Sequence, residues 1–353
     1  MILCANPSAQ FKSYQTEIEE AVLSVMRGDR YVLGDQVVAL EQEFAEYIGT
    51  TSAIGVANGT DAIELALRAL DVGYGDEVIT VSHTAVATIA AIEATGADAV
   101  LVDVELEYYT LNPDQLEEVF SAKTKAIIAV HLYGFPCRID LLKKICKKYK
   151  ILLIEDAAES FGSFYKSKHT GTFGNIGILS FNGNKTITCG GGGMIITDSK
   201  QIAQKLKHLS THARLSNRVD HYHDEVGYNY RMTNLSAAVG CGQLKKISKI
   251  LKSKIKNYYW YKENFKKFQS MKIVKEPKNS KSNYWLIIGK FKKKAERNHI
   301  FKSLKKKGFG VRLCWRPLHT LKIFKNFPRD NLKNTNKIYS QTITFPSSCK
   351  INL

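Results

Sequence analysis

Ile151-Leu152-Leu153-Ile154-Glu155-Asp156-Ala157-Ala158-Glu159 is the stretch on which the fold turns: four apolar residues run straight into two adjacent acids. A run with no polar face reads as a strand covered on both sides, as in parallel sheets. Acids placed directly after such a strand are costly to bury without a cationic partner. In open parallel sheets the carboxyl ends of the strands are also where ligands bind. The same punctuation recurs in both directions. Apolar strands are expected at 53–56, 78–81, 99–102 and 126–130 before it, and at 176–181 and 194–197 after it. Helical patterns at 62–70, 85–94 and 141–149 lie between the early ones. Strands spaced by helices predict an α/β fold with a mostly parallel central sheet.

After Asn234 the pattern changes. A long helical stretch over 235–268 leads to strand-like runs at 285–291 and 310–315, with a helix at 296–307 between them. This predicts a smaller C-terminal α+β domain over 246–353, packed on a large domain over 1–245. No closing helix is expected where the chain runs from Phe345-Pro346-Ser347-Ser348 to Leu353.

Composition excludes several classes. No run of eighteen or so apolar residues is present, which argues against a transmembrane helix, and the first residues do not read as a secretory signal. Seven scattered cysteines without C-x-x-C or zinc spacing read as reduced thiols, and hence as a cytoplasmic protein with no metal site. The net charge of +18 invites a nucleic-acid reading. Its lysines thicken at Lys245, Lys246, Lys249, Lys252, Lys254 and Lys256 and again over 302–307, without a nucleic-acid motif around them. They read as a solvated helix face, or as attraction for an anionic small substrate.

Four segments past strand ends carry chemistry. Asn58-Gly59-Thr60-Asp61 opens a helix and suits either an ordinary cap or a phosphate held by backbone N–H groups. Glu155 and Asp156 could face a protonated pyridine nitrogen, a metal or a buried cation. Lys185, at the end of Ser180-Phe181-Asn182-Gly183-Asn184-Lys185 and before Gly190 to Gly193, has the wrong glycine spacing for a P-loop. In a constricted, glycine-lined pocket such a lysine forms a Schiff base and shuttles protons; otherwise it is a surface lysine in a turn. Gly227-Tyr228-Asn229-Tyr230-Arg231-Met232-Thr233-Asn234 offers oxyanion-binding groups and flat rings, or a structural loop.

Together with His131-Leu132-Tyr133-Gly134 and Thr172-Phe173-Gly174, these segments resemble the DegT/DnrJ/EryC1/StrS family of sugar aminotransferases over nearly the whole chain. The resemblance implies a fold-type I aspartate aminotransferase fold and pyridoxal 5'-phosphate as cofactor. Lys185 would bond the cofactor and Asp156 would face its pyridine nitrogen. Gly59, Thr60 and Ser180 would hold its phosphate, with Asn229 reaching that phosphate from the other subunit of a homodimer. Glu159 would sit near the ring hydroxyl, where many relatives carry Gln. His83 lies where a ring-stacking residue is expected, a core or capping histidine being the other reading. Arg231, Trp315 and His319 would face the sugar nucleotide. The motifs look closest to enzymes that aminate 4-keto-6-deoxy sugars on UDP in bacillosamine and legionaminic acid pathways. Two segments, 57–60 and 82–84, look closer to relatives that aminate dTDP sugars at the 3-position. Glutamate or a similar donor would supply the nitrogen. Two rivals fare worse: a dinucleotide oxidoreductase lacks G-x-G-x-x-G, and a nucleic-acid-binding regulator leaves Lys185 and Asp156 unexplained.

Overall fold

The computed structural model describes residues 2–215, 217–327 and 329–348. All seven expected strands form and join one sheet, in the spatial order Ser52–Val56, Gly193–Thr197, Ile176–Ser180, Leu152–Asp156, Thr124–Val130, Glu77–Val81, Asp98–Val102. Gly193–Thr197 pairs antiparallel with both its neighbours, and the remaining pairings are parallel. Six carboxyl ends therefore share one edge. Strands such as Glu77–Val81 and Ile176–Ser180 are buried along their whole length, in keeping with their largely apolar sequence. The helix Ile139–Tyr149 shows how the sheet is covered. Ile139, Leu142 and Cys146 are buried, while Lys143, Lys144, Lys147 and Lys148 are exposed, so one apolar stripe seals the strand Leu152–Asp156.

The second region forms a four-stranded antiparallel sheet in the order Met271–Ile273, Ile287–Phe291, Thr342–Phe345, Arg312–Leu313. Three expectations are corrected here. The long helix is two, Asn234–Leu244 and Ile247–Phe265, with the break at Lys245 and Lys246. The strand at 310–315 shrinks to two residues. The expectation about a closing helix falls beyond the described residues. A helix not anticipated from the sequence, Lys333–Gln341, leads into Thr342–Phe345, an inner strand of this sheet. That helix buries only Thr335 and Ile338, so it has no apolar repeat to read in sequence. Lys254 is not on a solvated face: its Nζ is buried and donates to the Ser347 carbonyl at 3.1 Å.

The two regions are tied together at several points. Asp103 accepts from the N–H groups of Asn334 and Thr335, both at 2.8 Å. Arg329 grips Glu77 through two bonds of 2.7 and 2.6 Å. The first residues cross over as well, Ile2 pairing with Phe309 and donating to the Gly308 carbonyl at 3.1 Å.

Candidate active site

The shared edge of carboxyl ends is concave. A cavity of about 500 Å³ is lined there by Gly59, Thr60, Asp156, Glu159, Ser180 and Lys185, with Trp315 reaching in from the second region. Its donors begin at the helix Gly59–Ala69. Asn58 caps this helix, its side chain accepting from the Asp61 N–H at 2.9 Å. The N–H groups of Gly59 and Thr60 belong to the first turn, where no intrahelical acceptor exists, and both residues line the cavity. Ser180 closes the same corner: a Cβ on Gly59 would lie 3.0 Å from the Ser180 Cβ and 3.2 Å from its Oγ. Capping and anion binding are thus compatible uses of one turn.

The glycine run lies behind this turn and not on the cavity wall. A Cβ on Gly193 would stand 2.6 Å from the Asn58 carbonyl oxygen, so no side chain fits where the strand Gly193–Thr197 passes the turn. Gly59 and not the run 190–193 is the glycine the cavity meets.

Asp156 and Glu155, adjacent in sequence, point to opposite uses. Asp156 faces the cavity, its carboxylate held by the Thr88 hydroxyl at 3.0 Å and the Ala158 N–H at 3.1 Å. Glu155 points into the protein. It accepts from the N–H groups of Gly171, Phe173 and Gly174 at 2.9, 2.5 and 2.7 Å and meets His131 Nε2 at 2.9 Å. Because His131 Nδ1 accepts from the Cys137 N–H at 3.1 Å, its ring proton sits on Nε2 and is donated to Glu155. Burial opposes charge on Glu155, but these bonds from His131, Gly174 and Gly171 hold its pKa below the ordinary value. The His131 and Thr172-Phe173-Gly174 segments are therefore stapled by one buried acid.

Lys185 is both in a turn and in the cavity. Its N–H donates to the Asn182 carbonyl at 2.9 Å, closing the turn. Its side chain is 12% exposed and carries Nζ to 3.8 Å from Glu159 Oε1 and 4.4 Å from the centre of the Trp285 ring. The Trp285 indole N–H donates to the Asn184 carbonyl at 2.8 Å, so the ring clamps the turn while it packs on the amine. Burial raises the pKa of Glu159, with Lys185 pulling the other way. Sequence reading missed Trp285 and Thr88. The first looked like strand core and the second like an interior helix position.

Of the other expected residues, Trp315 is on the cavity and donates from Nε1 to Glu159 Oε1 at 3.1 Å. His83 is not on its wall. It is fully buried behind Tyr133, its Nε2 sharing a 3.2 Å hydrogen bond with the Tyr133 hydroxyl, and burial drops its pKa to about 3. Thr84, Ala85, Ala87 and Thr88 take the wall instead. His319 also lies off the cavity, docked on Ser82 with Nδ1 2.7 Å from the hydroxyl. Asn229 and Arg231 stand apart from this cavity and pair with each other, the guanidinium donating to Asn229 Oδ1 at 3.2 and 2.8 Å.

This donor set fits pyridoxal phosphate: a buried carboxylate with capacity for a cation, a lysine amine, and N–H and hydroxyl donors suited to a phosphate. The DegT/DnrJ/EryC1/StrS aminotransferase family profile matches residues 12–353. The chain is similar to GDP-perosamine synthase of Escherichia coli O157:H7, 38% identical over 291 residues, 82% of this chain and 79% of that one. It is similar to GDP-perosamine synthase of Vibrio cholerae at 35% over 317 residues, 89% and 86% of the two chains. Its fold matches a DegT DnrJ EryC1 StrS aminotransferase from Brucella abortus with a TM-score of 0.94 and 26% identity, covering 100% of this chain and 95% of that one. The chain belongs to the DegT/DnrJ/EryC1/StrS aminotransferase family. It is a pyridoxal-phosphate-dependent sugar aminotransferase with the α/β fold of that group.

Proposed function

We propose that this enzyme moves an amino group from glutamate to a keto-6-deoxyhexose carried on a nucleotide, for bacterial surface-glycan biosynthesis, with Lys185 and Asp156 as its catalytic residues. One observation carries the reading: an amine and a carboxylate from neighbouring strand ends face the same cavity. Asp156, held by Thr88 and Ala158, is oriented to keep a pyridine nitrogen protonated. The bound cofactor supplies an electron sink for the carbon that gains or loses the amino group. Lys185 Nζ takes and returns the proton at that carbon. Gly59, Thr60 and Ser180 bind the phosphate, and Glu159 lies beside the amine.

Arg231 grips the substrate diphosphate and Trp315 packs on the sugar. Asn229 serves the phosphate site of a second copy, which makes the working unit a homodimer. The large and small domains divide near 245 and 246, and the enzyme works in the cytoplasm. Among the described residues no helix is long and apolar enough to cross a membrane. The names of the relatives favour GDP as the nucleotide, whereas the motifs favour UDP. Incubation with GDP, UDP and dTDP keto sugars plus glutamate, with product identification by mass spectrometry and NMR, decides. An amino sugar from one of the first two is expected; no aminated product from any of the three overturns the reading.

A further inference from the structure

Tyr133 stands just past the strand Thr124–Val130 with a φ of 57°, in the left-handed region that a large side chain rarely enters. It is buried, and both its backbone and its side chain are engaged. Its N–H donates to Glu159 Oε2 at 2.8 Å. Its hydroxyl accepts from the Trp315 N–H at 2.8 Å. Trp315 in turn donates from its indole to Glu159 Oε1 at 3.1 Å, which closes a ring of three hydrogen bonds through three residues. Both carboxylate oxygens of Glu159 are thereby aimed, and Oε1 lies 3.8 Å from Lys185 Nζ. His83 backs the hydroxyl, its ring edge-on to Tyr133 with centres 5.9 Å apart.

We propose that Tyr133 is a positioning residue that joins Trp315, on the second region, and Glu159, beside the reacting amine, into one unit. Each partner alone is adjustable: Trp315 is half-buried on a short irregular segment, and a glutamate side chain has three rotatable bonds. Tyr133 removes that freedom, because its unusual backbone conformation points N–H and hydroxyl at both of them. The substrate-facing indole and the carboxylate next to Lys185 then hold one relative placement. The inference rests on the proposed role of Lys185, but the ring itself is testable without it.

The experiment labels the protein with 5-fluorotryptophan. The chain has three tryptophans, so three fluorine resonances are expected, and Trp315→Phe identifies one of them. In cofactor-free Tyr133→Phe the Trp315 line should shift or broaden, while the Trp260 and Trp285 lines stay. Glu159→Gln, which keeps the side chain's shape but turns an amide NH2 toward one of the two N–H donors, should move the same line. It decides the matter alone if Tyr133→Phe does not fold. In the holoenzyme Tyr133→Phe should keep its cofactor absorbance and lose about tenfold in kcat/KM for the sugar nucleotide, mostly through KM, the effect of one buried hydrogen bond. A Trp315 line that stays in place in the folded variants overturns the inference. Absence of any transamination by wild type, with the line moving as expected, would instead remove the proposed function and leave the ring standing.

Discussion

Lys185 and Arg231 are cations on loops at the same edge of the molecule, and the structure treats them in opposite ways. Lys185 is turned inward, its amine between Glu159 and Trp285 with little water around it. Arg231 belongs to a segment that adds to the outer edge of the central sheet. Its backbone bridges Val56, and the neighbouring Tyr230 carbonyl accepts from the Ala57 N–H at 2.8 Å. Its guanidinium is satisfied by Asn229. The amine and the carboxylate that face the cavity thus come from one chain. In the 229–231 segment the backbone pairs with Ala57 and Ser210 and the Tyr230 hydroxyl donates to Glu64, while the side chains of Asn229 and Arg231 bond each other. Proton transfer needs a rigid, water-poor site, whereas recognition of a charged substrate can be shared with a neighbouring molecule. Under the roles proposed for Lys185 and Arg231, the two regions divide along that line.

The comparison breaks most sharply at Lys185. Lys185→Ala should lower turnover by at least about 10³-fold and abolish the borohydride-fixable bond to the cofactor. Mass spectrometry of the reduced peptide checks this, and wild-type turnover in the variant would end the assignment. Asp156→Asn preserves shape and removes charge. Turnover is expected to fall about 10²-fold with cofactor still bound, measured by absorbance and single-turnover rates. Unchanged kinetics would take the pyridine role away from it.

The outer segment should behave differently. Asn229→Ala is expected to weaken cofactor binding about tenfold, through one charge-assisted hydrogen bond to phosphate. If Asn229 acts across a dimer, mixing Asn229→Ala with Lys185→Ala subunits rebuilds one wild-type site per heterodimer and restores activity. No recovery from verified heterodimers would place Asn229 in its own chain's site or in none. Arg231→Ala should raise KM for the sugar nucleotide a few-fold and flatten its rise with salt, since exposed attractions are screened over about 8 Å. A steep rise that survives in the variant would move the contact to the lysines.

The smallest effect belongs to the seam between the regions. Arg329 holds the Glu77 carboxyl at about 2, below its ordinary 4.5. A depressed folded-state pKa contributes stability that is complete above about 4.5 and is lost as pH falls toward about 2. Glu77→Gln should therefore flatten the acid limb of thermal stability in that window and leave neutral-pH activity intact. Arg329 is 40% exposed, so solvent screening keeps the expected change small. An unchanged acid limb in Glu77→Gln would show that the pair adds nothing measurable.

The seven strands were legible because a strand covered on both faces has to be mostly apolar, and its ends are marked where polarity resumes. The same logic exposed Asp156 and Lys185, since a charge set directly after a buried strand must be accounted for. The second region was read less well. Its long helix is broken at Lys245 and Lys246 without a proline or glycine to announce it. Its inner strand Thr342–Phe345 has only four residues, and the polar helix before it gives no periodic signal.

By itself, then, the sequence determined the alternation of strands and helices, the family, and the lysine and aspartate to which the proposed function assigns the chemistry. These are written in local apolar periods and in motifs that survive without knowledge of their neighbours. Tertiary structure alone decided which side chains meet. It sent Glu155 inward to staple three N–H groups and Asp156 outward to the cavity. It put His83 behind Tyr133, and from far along the chain it brought Trp285 against the Lys185 amine and Trp315 to the cavity wall. The physical reason is that a side chain's role depends on its direction and on partners well outside its own element, in some cases more than a hundred residues away. Those follow from how strands and loops pack, and no local pattern encodes them.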